Sequence, residues 1–415
     1  MPLPLIARVP STSRSLFALP EEEENCSPCT KANLPSIGGR YTLIEHIGSG
    51  SSGSAVFEAT RDGDHATFAI KVLRGMHGAT ACALPRFIRE AELTCELKHP
   101  HLAAGVEWGV DGDDHYLVMK LVRGKSLESM LMDCGRLEWQ VATELVLHVA
   151  RALAHLESHG IVHRDVKPEN IMCHYATHGD ACSTESGLIG VLIDFGLARR
   201  ATDTASCDDE SATKPPSTSP SILRRVATPA WSAIGSPGFM APEQVRDARA
   251  ARHAADVYGL GATWYAAITG VLPFTGSSPV KVMQQVLNGE VLPARTHVAE
   301  LPPAVDELIG WLLQKKPRER PPCGPSLVAE IEAVQASPHD AQRIRRARQA
   351  HRRRLAREDA LATAKHVAAL ALGLLLFAIL VFETLKMTWD QSEAPVIELE
   401  AADLELQPDS PPGTS

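Results

Sequence analysis

His163-Arg-Asp-Val-Lys-Pro-Glu-Asn170 puts a histidine, two cations, two carboxylates and an amide into eight residues. Two more short motifs follow it in order, Asp194-Phe195-Gly196 and Ala241-Pro242-Glu243. Upstream, Gly48-Ser-Gly50-Ser-Ser-Gly53 has the spacing G-x-G-x-x-G. That spacing alone is a weak signal, and a dinucleotide fingerprint would need the turn to open a helix. Here Ala55-Val-Phe57 follows, which favours a returning strand. A glycine-rich hairpin fits better, because missing Cβ atoms let backbone N–H groups approach phosphate oxygens.

Strand signals surround these glycines. Tyr41 to Ile47, Thr67 to Leu73 and His115 to Val122 are rich in β-branched and aromatic residues. Between the last two, Pro85 to Leu97 has helical spacing, with Phe87, Ile88 and Ala91 on one face. After residue 125 the pattern turns helical, and Leu145, Val149, Leu153 and Leu156 line one face of a helix over 141–159. The fold expected is α+β: a strand-rich lobe, a helical lobe, and a connection near 120–125. Residues 1–40, with Pro2, Pro4, Pro10 and four successive acids at Glu21 to Glu24, read as a mobile tail rather than a secretory signal. His174 to Gly187 and Ala201 to Ser221 are polar, lack apolar periodicity and read as solvated loops.

Taken together and in order, the motifs resemble those of eukaryotic-like serine/threonine protein kinases, particularly the membrane-anchored bacterial ones. The resemblance runs over about residues 41–335 and implies a two-lobed kinase fold using ATP and Mg²⁺ or Mn²⁺. It implies that Gly48, Gly50 and Gly53 cover the phosphates, and that Lys71 binds the α- and β-phosphates with Glu90 as its ion-pair partner. Glu92 is the other carboxylate in reach of the sequence argument, on a different helix face. Asp165 is expected to accept the substrate hydroxyl's proton, Lys167 to meet the γ-phosphate, and Asn170 and Asp194 to supply oxygen ligands to the metal. Val56 and Ala69 would wall the adenine pocket, Met119 would border it, and backbone groups near Leu121 and Val122 would bind the adenine edge. Glu243 and Arg320 would form a buried ion pair, and Asp256 would hold the catalytic loop's backbone.

Arg164, beside Asp165, is placed to pair with a phosphate on the activation segment. That segment runs from Asp194 to Glu243, an interval of 49 residues, and offers Thr228, Ser232 and Ser236 as phosphosites. Ser236 also resembles a structural hydroxyl that would contact Asp165 and Lys167. Two positions depart from the family pattern. Ala55 stands where valine is usual and Val56 comes one residue later, a displacement that a one-residue bulge would absorb. Lys120 stands where an acid is common. An active kinase is the leading reading. A pseudokinase scaffold is the rival, motivated by the altered glycine loop, and a kinase of small molecules is disfavoured by Ala241-Pro-Glu243.

The chain has 415 residues and a formal net charge of −9, with 44% hydrophobic and 22% charged residues. These values suit a globular chain and argue against general nucleic-acid binding. Nine cysteines and a lone Cys26-x-x-Cys29 suggest free reduced thiols rather than a zinc site. Residues 343–357 hold eight arginines, and Val367 to Phe382 then carries no charge. Apolar all round, this run reads as one transmembrane helix, the alternative being a buried soluble helix. The arginines could form a nucleic-acid patch, but their place before the span favours anionic headgroups. The positive-inside rule puts the catalytic part in the cytoplasm of a bacterial inner-membrane, single-pass protein. The domains expected are a tail (1–40), a kinase domain (41–335), a basic juxtamembrane segment (336–365), a transmembrane helix (366–385) and a short acidic extracytoplasmic tail (386–415). The partners expected are protein substrates and the membrane. A homodimer is left open, and no nucleic acid is expected.

Overall fold

The computed structural model describes residues 36–49, 53–63, 66–75, 83–175, 187–200 and 236–390. Cys26, Cys29, Gly50, Thr228 and Ser232, the tip of the first loop insertion and all of the second lie outside the described residues.

The N-terminal lobe is a six-stranded antiparallel sheet built from β1 (Ser36–Ile37), β2 (Tyr41–Ser49), β3 (Ala55–Arg61), β4 (Thr67–Leu73), β5 (Gly105–Asp111) and β6 (Asp114–Lys120). Its spatial order is β1-β2-β3-β4-β6-β5. Ser36 and Ile37 pair with Thr42 and Tyr41, so the sheet begins inside the stretch that reads as a tail. Period-two alternation sorts β4 between two faces. Phe68, Ile70 and Val72 join Tyr41, Leu43, Ala59, Tyr116 and Val118 in one core. Leu73 and Leu117 turn to the other face and pack on helix α1 (Ala83–Glu96) through Phe87 and Ala91.

The displaced valine is resolved by pairing. β2 carries register irregularities between Leu43 and Glu45 and between His46 and Gly48. Val56 therefore stands opposite both Gly48 and Lys71, while Ala69 stands opposite Met119. Directly opposed residues share a sheet face. Val56, Ala69, Lys71 and Met119 thus line one face, and Ala55, opposite Val72, lies on the other.

The chain crosses at Leu121–Gly124 into the helical lobe. A short strand β7 (Lys125–Ser126) leads into α2 (Leu127–Cys134), where Ser126 Oγ accepts the Ser129 N–H at 3.1 Å as an N-cap. Then come α3 (Trp139–Ser158), β8 (Ile161–Val162), the hairpin arms β9 (Ile171–Tyr175) and β10 (Leu188–Leu192), and β11 (Arg199–Arg200). His174 and Tyr175 belong to β9 and not to a loop. Next are α4 (Pro242–Arg246), α5 (His253–Thr269), α6 (Pro279–Asn288), α7 (Pro303–Leu312) and α8 (Pro325–Ala336). Helix α5 is buried from Ala255 to Ile268, as its near-continuous small and apolar sequence requires. It forms the axis on which α3 and α7 pack.

A row of histidine rings joins the α1–β5 connection to α3. His101 stacks on His148 at 4.2 Å, His99 on His155 at 5.2 Å, and His155 meets His159 at 4.4 Å. Burial pushes the imidazoles of His99, His101 and His148 down to about 4, so all three are neutral near pH 7.

The last element, α9 (Ala341–Asp390), is a single helix of 50 residues. Its start is not a free linker: Ile344 is 1% exposed and belongs to the main core of the helical lobe. The same helix contains a window apolar enough to cross a membrane, none of which is buried in the protein. The buried-soluble-helix alternative therefore finds no packing partner among the described residues.

Candidate active site

Lys71 extends from β4 into the space between the lobes and is 4% exposed. Its Nζ lies 2.5 Å from Glu90 Oε1 and 3.4 Å from Asp194 Oδ1. Glu90 reaches it because it shares the buried face of α1 with Phe87 and Ala91, whereas Glu92 is exposed on another face. Burial opposes the ammonium, but the two carboxylates outweigh it and hold Lys71 above the ordinary lysine range. Burial also pushes Glu90 up, which Lys71 only partly offsets. At Asp194 burial acts the same way. There Lys71 and the Gly196 N–H, at 3.0 Å, win and hold the carboxyl below its usual range.

The loop from His163 to Asn170 follows β8 and ends in a turn, Pro168–Asn170. Arg164 has φ +71°, a conformation that costs a non-glycine residue about 1–2 kcal/mol. Asp256 in α5 holds it there: one carboxylate accepts the His163 N–H at 2.9 Å and the Arg164 N–H at 2.7 Å. Asp165 then faces the cleft. Asn170 Nδ2 donates to its carbonyl at 2.8 Å and to its Oδ2 at 2.9 Å, and Lys167 Nζ lies 3.1 Å from Oδ2. Lys167 also lies 3.3 Å from Glu169, and these acids raise its pKa against the opposing effect of burial.

Asp194 is the second strained residue, at φ +66°. Phe195 behind it is buried against the His163 ring at 5.5 Å. Asn170 Oδ1 has no hydrogen-bond partner among the described residues, since both bonds of the side-chain amide are donated by Nδ2. An ionised carboxylate and a free amide oxygen are the donor types a hard divalent cation takes, so these residues fit Mg²⁺. Val56, Ala69 and Met119, the residues expected to line the adenine pocket, share the Lys71 face. Leu121 and Val122 lie in the extended crossing between lobes. Gly48 stands opposite Val56 near the end of β2, and Gly53, at φ +78°, lies two residues before β3. Lys120 is exposed and points away from this space.

Below the loop, Arg320 is 1% exposed and grips Glu243 with two bonds, at 2.6 and 2.7 Å. It also donates to the carbonyls of Ala254, Gln314 and Lys315. Ser236 opens a short turn, Ser236–Phe239, beside this platform. Two residues escaped the sequence reading. Gln244 accepts the Ala241 N–H at 3.0 Å and donates to the Arg164 carbonyl at 2.9 Å, tying α4 to the strained loop. Nothing in one sequence marks it. Gly259 had a signal, a glycine inside an apolar helix pattern: a Cβ there would lie 2.8 Å from the Val166 carbonyl, so α5 could not approach the loop.

Residues 41–330 match the protein kinase domain family. Among curated proteins, a probable serine/threonine-protein kinase of Clostridium perfringens is 28% identical over 303 residues, covering 73% of this chain and 39% of its own length. Serine/threonine-protein kinase PknL of Mycobacterium tuberculosis is 30% identical over 298 residues, 72% of this chain and 66% of the relative. PknA from the same species is 32% identical over 306 residues, 72% and 62%. The match thus spans less than two thirds of each relative's length.

Proposed function

The chain belongs to the protein kinase family, and from that premise we propose that it transfers the γ-phosphoryl group of ATP to serine and threonine hydroxyls of proteins. The observation that carries this is the convergence of Lys71, Glu90, Asp165, Asn170 and Asp194 on one cleft between the lobes.

Each group has a task set by charge. Lys71, fixed by Glu90, binds the α- and β-phosphates of ATP; the apolar face of Val56, Ala69 and Met119 receives its adenine, and the backbone of Leu121 and Val122 its edge. Asn170 and Asp194 hold the divalent cation, which when bound neutralises charge on the phosphate oxygens. Asp165 accepts the proton of the acceptor hydroxyl and orients it for in-line attack, while Asn170 keeps its carboxylate in place. Lys167 leaves its carboxylate partners to meet the γ-phosphate. The work is positioning and electrostatics. The altered glycine loop was the motive for a scaffold without transfer, and the pairing of Val56 with Lys71 supports the active reading instead.

The finer reading is a bacterial inner-membrane kinase, anchored by one span with its catalytic domain in the cytoplasm. It phosphorylates its own activation segment, for which Thr228, Ser232 and Ser236 remain the proposed sites. The support is an apolar helix that none of the described residues buries, an exposed surface that lipid would cover. The test is full-length protein in liposomes with labelled ATP and Mg²⁺, beside Asp165→Asn. Phosphoserine or phosphothreonine in the parent and not in the variant is expected. ATP binding without transfer in the parent would instead leave the scaffold standing.

A further inference from the structure

Helix α9 runs from the catalytic lobe into the apolar run without a break, and its arginines divide between two tasks. The first turns dock on the lobe. Ile344 enters the core, Arg343 pairs with Glu330 at 2.9 Å, and Arg345 pairs with Glu307 at 2.6 Å. His351 Nε2 meets the Arg318 carbonyl at 2.8 Å, and Arg318 reaches along α9 to Asp359 at 2.8 Å. Arg354 pairs within the helix with Glu358 at 3.0 Å. The expectation that the whole arginine cluster serves headgroups is therefore corrected: lobe carboxylates take its first part.

Arg352, Arg353 and Arg357 are exposed and have no carboxylate partner among the described residues. At about 100° per residue, Arg353 lies opposite Ile344 and Arg357 about 140° round from it, while Arg352 stands about 80° from Ile344, at the edge of the docked face. They also crowd one another: Arg348 and Arg352, and Arg353 and Arg357, are like charges four residues apart, which destabilises a helix. Height along the helix selects their partner. At a rise of about 1.5 Å per residue, Arg357 stands about 15 Å and Arg353 about 21 Å above Val367. The headgroup layer occupies roughly the first 5–7 Å. An extended arginine brings its charge to within a Debye length, about 8–10 Å, of that layer. Arg346, about 32 Å up, stays out of range. Lys365 lies at the boundary itself.

We propose that Arg352, Arg353, Arg357 and Lys365 form a surface that binds the anionic lipid headgroups of the leaflet α9 enters, and that this contact keeps α9 a continuous strut between catalytic lobe and span. The inference rests on the membrane reading of the apolar run. Neutralising the crowded arginines removes the repulsion that would fray residues 350–360, the stretch between the docked turns and the bilayer.

The test uses the full chain in lipid nanodiscs, of phosphatidylcholine alone or mixed with phosphatidylglycerol, and reads amide hydrogen exchange over 350–360. Each cation near an anionic surface is worth about fivefold, so slowing by about tenfold or more in the anionic discs is expected. The slowing is expected to vanish at high salt and in the triple variant Arg352→Gln/Arg353→Gln/Arg357→Gln, since glutamine keeps helix propensity. Equal exchange in both lipids, or a triple variant that keeps the difference, overturns the proposal. Protection appearing only when duplex DNA is added to neutral discs assigns the surface to nucleic acid and also overturns it. Alkaline carbonate extraction separates the two readings. A chain stripped from liposomes by carbonate defeats the membrane reading itself, while a chain that resists carbonate and shows no lipid dependence defeats this inference alone.

Discussion

Asp256→Ala removes the one buried carboxylate that holds two consecutive backbone N–H groups of the catalytic loop, at 2.9 and 2.7 Å. Asp256 is 2% exposed, so water does not simply replace it. Each orphaned N–H then costs about 1–3 kcal/mol. Arg164 meanwhile recovers about 1–2 kcal/mol by leaving φ +71°. The cheap response is local: the loop re-orients, satisfies its N–H groups elsewhere, and carries Asp165 off its position. A misplacement of about 1 Å costs about 100-fold in rate. The expected result is kcat on a protein substrate lowered about 100-fold, with ATP affinity changed less than about threefold, because Asp256 touches neither Lys71 nor the adenine face. Asp256→Asn, which still accepts one of the two N–H groups, should fall between. Steady-state transfer from labelled ATP, ATP titration and a thermal melt measure all three quantities. A folded Asp256→Ala protein with kcat within about threefold of the parent would refute the anchoring argument.

Lys71→Met strands Glu90 and Asp194 without their shared cation; kcat/KM should fall by about 10²–10³ while the protein still melts cooperatively. Arg320→Met leaves Glu243 buried without its partner, a loss of about 3–5 kcal/mol that should lower Tm by roughly 10 °C. Glu243→Gln, which spares the bonds from Arg320 to three carbonyls, should cost less, and equal melting of the two variants would sink this account. Folded His101 and His148 titrate near 4 and their unfolded forms near 6.5, so their contribution is intact above 6.5 and is lost as pH falls from 6.5 towards 4. Each ring gives at most about 1.4 kcal/mol per pH unit in that window, and His148→Gln should flatten the acid limb of Tm against pH.

What was legible in the sequence was whatever depends on neighbours in the chain. Thr67 to Leu73 is a strand with the bounds its alternation implies, Asn170 bonds Asp165, and Ile193, beside Asp194, bonds the Asn170 carbonyl. The strand expected over His115 to Val122 is β6 and ends at Lys120, because Leu121 and Val122 leave the sheet for the crossing. The position of Val56 was open, since two irregularities in β2 decide it and these exist only once β2 pairs with β3. The histidine row was invisible for the same reason: His101 and His148 meet only when α3 packs under the α1–β5 connection. The juxtamembrane segment misled by composition. Eight arginines overshadow the small spaced pair Ile344 and Ala347 that docks it, with Ala341 buried one turn before.

The two strained residues show why the anchors matter as much as the groups they anchor. Among the described residues, Arg164 and Asp194 are the non-glycine positions with positive φ, and both sit at the cleft. Left alone, each loop would relax to lower energy. Asp256 prevents this at Arg164 from the buried axis of the helical lobe. At Asp194 the restraint comes from the Gly196 N–H and from Lys71, itself fixed by Glu90 on α1. One restraint therefore belongs to a single rigid lobe, whereas the other closes only while α1 holds Glu90 against β4. A shift of α1 would loosen the Lys71 restraint on Asp194 and leave Asp165 in place. The geometry thus makes Asp194, and not Asp165, the group whose position depends on how the two lobes are set.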